Sequence, residues 1–158
     1  MRVSTTAYAN EGIGASIASL PLHQTTNVRV EAFGRDVFLF LNNSYDSMVT
    51  VSAERVYGEA TLYVSDPWYP PALASIGSIQ MKSISSLSFK ERAASDFNGL
   101  LSQLAVYEKT TVPANYSLSF DITPTDYVSR SASIIRYSQD KTDNGKGGRI
   151  PGMYLTNN

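Results

Sequence analysis

The chain contains no cysteine, one histidine and one tryptophan, and only 17% of its residues are charged. Each scarcity removes a class of function. Without cysteine there is no disulfide framework, no thiolate zinc site and no cysteine nucleophile. Small secreted domains usually carry disulfides, so their absence leans away from secretion. The formal net charge of -1 offers no basic footprint for nucleic acid, and no direct nucleic-acid partner is expected. No run of about 18 apolar residues occurs, so no membrane span is expected. Residues 1–22 carry one arginine and then a Ser/Thr/Ala/Gly mixture without the apolar core of a signal peptide. The expectation is a protein made in a cytoplasm and kept soluble there.

What the chain has instead is hydroxyl and amide. Apolar residues make up 42% of its 158 positions, enough for a single domain, residues 1–158, to bury a core that offsets the entropy of ordering it. Its surface must then be built from Ser, Thr, Asn and Tyr. Such a surface fits secretion, or a protein largely covered by neighbours in an assembly. The ten tyrosines weigh towards the second reading, because Tyr is apolar along its body and polar at its tip and is enriched at interfaces. The plainer account is that they pack half-buried on strands.

The periodicity is mainly that of strands. Residues 27–33 alternate, with Val28, Val30 and Ala32 on one side and Arg29, Glu31 and Phe33 on the other. A turn at Gly34-Arg35-Asp36 leads into the apolar run 37–41, read as the central core strand. Residues 48–53 alternate again beyond a polar loop around Tyr45 and Asp46. With Val56-Tyr57 and residues 61–64 this predicts a four-strand antiparallel meander over 27–64, stopped by Asp66-Pro67-Trp68-Tyr69-Pro70-Pro71. Residues 72–86 are compatible with helix or strand.

From Ser88 the period changes. Ser88-Phe89-Lys90-Glu91 matches a capping box. Phe89, Ala93, Phe97, Leu100 or Leu101, and Leu104 recur at spacings of three and four, predicting an amphipathic helix over 89–106, with Gly99 costing it about 1 kcal/mol. Strands return at 115–122 and 132–137. Residues 1–22 read as an N-terminal arm. Residues 139–158 read as a loop and C-terminal arm, whose Ile150, Met153, Tyr154 and Leu155 offer apolar surface for assembly contacts. The predicted fold is mainly β, an antiparallel sandwich or barrel of the jelly-roll or immunoglobulin-like kind, with one amphipathic helix and extended terminal arms.

No motif carries a chemistry of its own. His23 stands beside Pro21-Leu22 with no Gly-x-Ser-x-Gly elbow anywhere in the chain, and reads as a packing or exposed residue. Residues 140–145 place oxygen ligands at the first, third and fifth positions and glycine at the sixth, as in a calcium loop, but Pro151 stands where the bidentate Glu belongs. Residues 145–149 lack the spacing of a phosphate loop. Glu54, Glu59, Asp121 and Asp126 are the carboxylates that glycoside hydrolysis would need in pairs. Asn42-Asn43-Ser44 and Asn115-Tyr116-Ser117 match the glycosylation acceptor pattern, which matters only on a secretory route. Trp68 and Tyr69 are the candidates for a partner or glycan contact; the alternative is that Trp68 plugs the end of the core.

The reading that follows is of a non-enzymatic chain without cofactor or metal. It is expected to be a structural component of a virus particle or similar large assembly: a capsid decoration, minor capsid or tail protein. Its partners would be other copies of itself and other structural proteins, and its location the virion, reached from the host cytoplasm. A carbohydrate- or cell-surface-binding β-sandwich and a small glycoside-active enzyme are the alternatives.

Overall fold

The computed structural model describes residues 1–9, 11–12, 19–65, 68–86, 98–100, 105–139 and 148–156. Its strands, in chain order, are β1 (Arg2–Val3), β2 (Glu11–Gly12), β3 (Thr26–Phe33), β4 (Asp36–Leu41), β5 (Ser44–Thr50) and β6 (Gly58–Val64). After these come β7 (Ala74–Ser83), β8 (Asn98–Leu100), β9 (Ala105–Val112), β10 (Tyr116–Pro124), β11 (Ala132–Ser138) and β12 (Gly152–Leu155).

Two tight turns start the fold. Phe33 pairs with Asp36 across Gly34-Arg35, and Gly34 takes φ +56°, a conformation open to glycine without a Cβ penalty. Leu41 pairs with Ser44 across Asn42-Asn43, whose φ values of 49° and 63° are those of a type I′ turn, matched to the right-handed twist of its strands. Asn42 Oδ1 also accepts from the Asn27 amide at 2.9 Å. Because that turn is complete in two residues, β5 begins at Ser44. The expected polar loop around Tyr45 and Asp46 is strand, and Asp46 is absorbed as a β-bulge opposite the step from Leu39 to Phe40.

The meander therefore has three strands, not four. After β5 the chain crosses to the other sheet, and the crossing is held by Arg55. Its backbone bridges to Thr5. Its buried side chain donates from Nε to Gly34 O at 2.9 Å and from Nη2 to Ala114 O. The guanidinium lies 5.4 Å from the ring centroid of Tyr116. Burial pushes the Tyr116 phenol up to about 12, against the opposing pull of Arg55.

Among the described residues two six-stranded sheets result, ordered β2-β1-β12-β11-β6-β9 and β5-β4-β3-β10-β7-β8. Every pairing of named strands is antiparallel. The arrangement is sandwich-like, with one hydrophobic cluster drawing on both sheets. β10 shows the two-residue period most plainly: Tyr116, Leu118, Phe120 and Ile122 are buried while Ser117, Ser119 and Asp121 are half-exposed. Residues 74–83, ambiguous in sequence, are strand because they complete the ladder on the free side of β10.

β3 and β10 lie at the centre of their sheet, and β4 is one place from its edge. The apolar run 37–41 thus reflects burial on two faces, not a central position. Val37 and Leu39 enter the core, while Phe40 is buried on the opposite face beneath the Arg29 guanidinium, 4.1 Å from the ring centroid. Arg29 and Glu31 form a buried ion pair on that same outer face.

No helix is present among the described residues. Within the span 89–106, residues 98–100 pair with β7, Gly99 opposite Ile76, and residues 105–106 open β9, which pairs with β6; residues 89–97 and 101–104 lie outside the described residues. Part of the physical reason is local, and part is that β7 and β6 offer edges to pair with. Gly99 weakens a helix at its middle, whereas residues 105–112, Ala-Val-Tyr-Glu-Lys-Thr-Thr-Val, are rich in β-branched and aromatic side chains that suit a strand.

The expected arms are also woven in where they are described. β1 lies between β2 and β12, Val3, Ser4 and Thr5 are buried, and Ser4 N–H donates to Arg149 O at 2.7 Å. β12 pairs with both β1 and β11.

Candidate functional site

The outer face of the first sheet carries a row set by register alone. Arg2 stands opposite Gly152, Gly152 opposite Arg136, and Arg136 opposite Tyr63. Their neighbours along the strands, Ile135, Tyr137, Leu62 and Val64, are buried; of these Ile135, Tyr137 and Leu62 belong to the core cluster, so the period of two sends Arg136 and Tyr63 to the other side. Arg136 lies 4.8 Å from the Tyr63 ring centroid.

The proline-bounded loop after β6 covers this row. Trp68 receives two guanidiniums, Arg136 and Arg149, each 4.8 Å from its ring centroid. Both arginines are buried, at 0% and 2%, whereas the indole is 38% exposed. Trp68 thus packs against two buried cations while remaining partly exposed itself. Cation–π contacts of this desolvated kind contribute about 2 kcal/mol each.

The platform continues through the C-terminal strand. Arg149 Nε donates to Tyr154 Oη at 2.7 Å. Tyr154 meets Tyr69 edge-on, with centroids 5.4 Å apart, and Arg2 sits 5.8 Å from the Tyr69 ring and 5.7 Å from that of Tyr154. Gly152 makes room for this packing: a Cβ there would come within 3.0 Å of Tyr154 Oη and 3.3 Å of Arg149 Cγ.

Two groups of residues that the sequence offered separately are therefore one structure. Tyr69 and Tyr154 touch. Ile150 and Met153 point into the core of their own chain, and Leu155 packs half-buried against it. Arg2, Tyr63, Arg136 and Arg149 were not singled out from sequence, because three arginines in three unrelated segments leave no local pattern. The one hint is an arginine within the otherwise apolar Ile134-Ile135-Arg136-Tyr137.

Beside the platform runs a polar groove of about 360 Å³ lined by Glu59, Ala60, Thr61, Lys109, Thr110, Thr111 and Gln139. Glu59 and Thr61 precede Tyr63 on β6 by four and two residues, so the groove follows the same face of the strand.

Exposed apolar side chains gather elsewhere at the two ends of the sandwich and on one edge. Leu73 O accepts from the Thr125 amide at 2.8 Å, placing exposed Leu73 beside the more exposed Tyr127. The Ser133 amide ties Pro70 O to the same end at 2.8 Å. At the opposite end exposed Tyr8 donates its amide to Thr5 Oγ1 at 3.0 Å, and exposed Tyr57 follows Val56, whose amide reaches Ser4 O at 3.0 Å. Tyr45 and Met48 are exposed on β5.

The remaining sequence candidates are dispersed. His23 is exposed, with φ 58°, and donates its amide to Pro124 O. Asp121 accepts from Asn27 Nδ2 on the second sheet, Glu59 lines the groove on the first, and Glu54 and Asp126 lie at opposite ends. Asn115 Oδ1 accepts from the Gly34 amide, so both acceptor-pattern asparagines serve turns. The calcium-like loop 140–145 lies outside the described residues. Among the described residues no three His, Asp or Glu side chains gather to hold a metal ion, and no helix is long and apolar enough to cross a membrane. No family model matches the chain, and no curated protein and no solved structure is significantly similar to it.

Proposed function

We propose that the chain is a structural component of a large protein assembly, with a virus particle as the leading case, acting through contacts with its own copies and with other structural proteins. One observation carries this reading. Among the described residues the exposed apolar side chains form separate groups: Leu73 and Tyr127 at one end, Tyr8 and Tyr57 at the other, Tyr45 and Met48 on an edge, and Trp68 over the outer face of the first sheet. A module that binds one partner needs one surface, whereas a subunit within an assembly needs at least two. A capsid decoration, minor capsid or tail position is compatible with the near-neutral charge, since a genome-facing subunit usually carries basic arms. The test is mass by light scattering on the native preparation. Recovery in particles far larger than 17.3 kDa is expected; a chain that remains monomeric and joins no particle overturns the reading.

A second reading is favoured by one feature. Trp68 is a partly exposed aromatic on the sheet that also carries a polar groove, and a stacking surface and hydrogen-bonding groups are what a carbohydrate site requires. Trp68→Ala should abolish glycan binding if this is the function. Retained binding, or none in the wild type, removes it. Glycoside hydrolysis has the weakest support, because Glu54, Glu59, Asp121 and Asp126 are spread over two sheets and both ends.

A further inference from the structure

We infer that the groove on the β6–β9 pair binds a short, neutral saccharide, recognised through Glu59, Thr61, Lys109, Thr111 and Gln139. This rests on the carbohydrate reading and gives it the hydrogen-bonding part of its site and the class of sugar taken.

The register builds the groove. Thr111 stands opposite Glu59 and Lys109 opposite Thr61, so these four side chains leave the same face of two adjacent strands. Ala60, between Glu59 and Thr61, belongs to the core cluster, which places the four on the outer face. On the other side of β6 the ladder stops. β11 ends at Ser138, opposite Thr61, and exposed Gln139 follows. The notch so formed holds about 360 Å³, at the small end of ligand sites, which run from about 300 to 1,000 Å³.

The phase of the β6–β11 ladder adds a backbone donor and acceptor. The Ser65 amide donates to Ile134 O at 2.8 Å, so, counting by twos, Tyr63–Arg136 and Thr61–Ser138 are the hydrogen-bonded pairs. Glu59, two residues further on, turns its N–H and C=O to the same side, where among the described residues no strand meets it.

The polar side chains of the groove are uncommitted. Elsewhere on the surface such groups are used by the fold: Glu11 holds Ser52, Asp121 holds Asn27, Asp36 holds Thr50, and Asn42 and Asn115 hold turns. Among the described residues, the side chains of Glu59, Thr61, Lys109, Thr111 and Gln139 enter no hydrogen bond or ion pair.

Their chemistry selects the ligand. One carboxylate and one ammonium cancel, so the groove favours neither an anion nor a cation. The threonine hydroxyls and the Gln139 carboxamide each donate and accept, as sugar hydroxyls do. Among the described residues no aromatic or large aliphatic side chain lines the groove, so an apolar ligand finds no surface there. A zwitterion would engage Glu59 and Lys109 but leave the hydroxyls unmatched.

The test is titration of the full chain with maltotriose and cellotriose, followed by amide shifts in NMR spectra. Glycine and sialyllactose serve as the zwitterionic and anionic probes. A neutral trisaccharide should shift the amides of residues 59–61, 109–111 and 139. Glu59→Ala, Thr61→Val and Lys109→Met, each checked for folding by circular dichroism, should weaken its binding about tenfold, as loss of a hydrogen bond to a ligand does. Folded variants that bind as the wild type does, or shifts produced by glycine or sialyllactose and by neither trisaccharide, overturn the groove. Saccharide binding that disappears in Trp68→Ala but survives in all three groove variants sinks the groove and spares the carbohydrate reading. A wild type that binds neither trisaccharide removes both.

Discussion

Tyr69 packs edge-on against Tyr154, with ring centroids 5.4 Å apart and planes at 71°. The contact locks the proline-bounded loop onto the C-terminal strand. A surface built on Trp68 is consequently supported by both chain ends, through Arg2 on one side and Arg149 and Tyr154 on the other.

Trp68→Ala should destabilise the fold even though its ring is partly exposed. Two buried guanidiniums lose their cap, and the expected cost is about 2–4 kcal/mol. Chemical denaturation followed by circular dichroism measures it, and Trp68→Phe should recover a good part. A neutral Trp68→Ala would show that the cap contributes nothing to stability.

Gly152→Ala should cost about 1–3 kcal/mol, as overpacking does, because the new methyl meets Tyr154 Oη at 3.0 Å and Arg149 Cγ at 3.3 Å. Tyr154→Phe removes the closest atom. The double variant should therefore be more stable than the sum of the two singles implies, a coupling read from a double-mutant cycle.

The Arg29–Glu31 pair is buried, so removing one member takes the opposite charge away from a buried ion. Glu31→Gln or Arg29→Met alone should cost about 3–5 kcal/mol, whereas replacing both with apolar residues of similar volume should cost less than either single change. Equal losses for the double and single variants would count against this account.

Tyr116 links stability to alkaline pH. Its folded pKa of about 12 lies above the unfolded value of about 10, so its contribution is fully present below pH 10 and is lost as pH rises towards 12. That loss is about 2–3 kcal/mol. Melting temperature measured between pH 9 and 12 should fall less steeply in Tyr116→Phe, which has no phenol to ionise.

Much of the β architecture was legible in the order of residues. β3, β10 and β11 announce themselves through alternation or apolar density, and Pro124 marks the end of β10. The failures have a common cause. The stripe at 89–106 satisfied a helical spacing, yet spacing cannot tell a residue that another strand waits beside it; β9 is strand because the β6 edge is there to pair with. The meander was over-extended for a related reason, since Arg55, which fixes the crossing, acts on Gly34 and Ala114, both remote in sequence.

Trp68 and Tyr69 stood out as a large aromatic pair in a proline-bounded loop, and Tyr154 as part of an apolar tail. That they form one surface, over arginines drawn from three segments, was decided by the register of β1, β12, β11 and β6. Local sequence determines which residues alternate, turn or stop, because those preferences act between near neighbours. Which alternating strands lie side by side is a long-range matter, and only the paired sheets could bring two guanidiniums against one indole ring and a third against the two tyrosines.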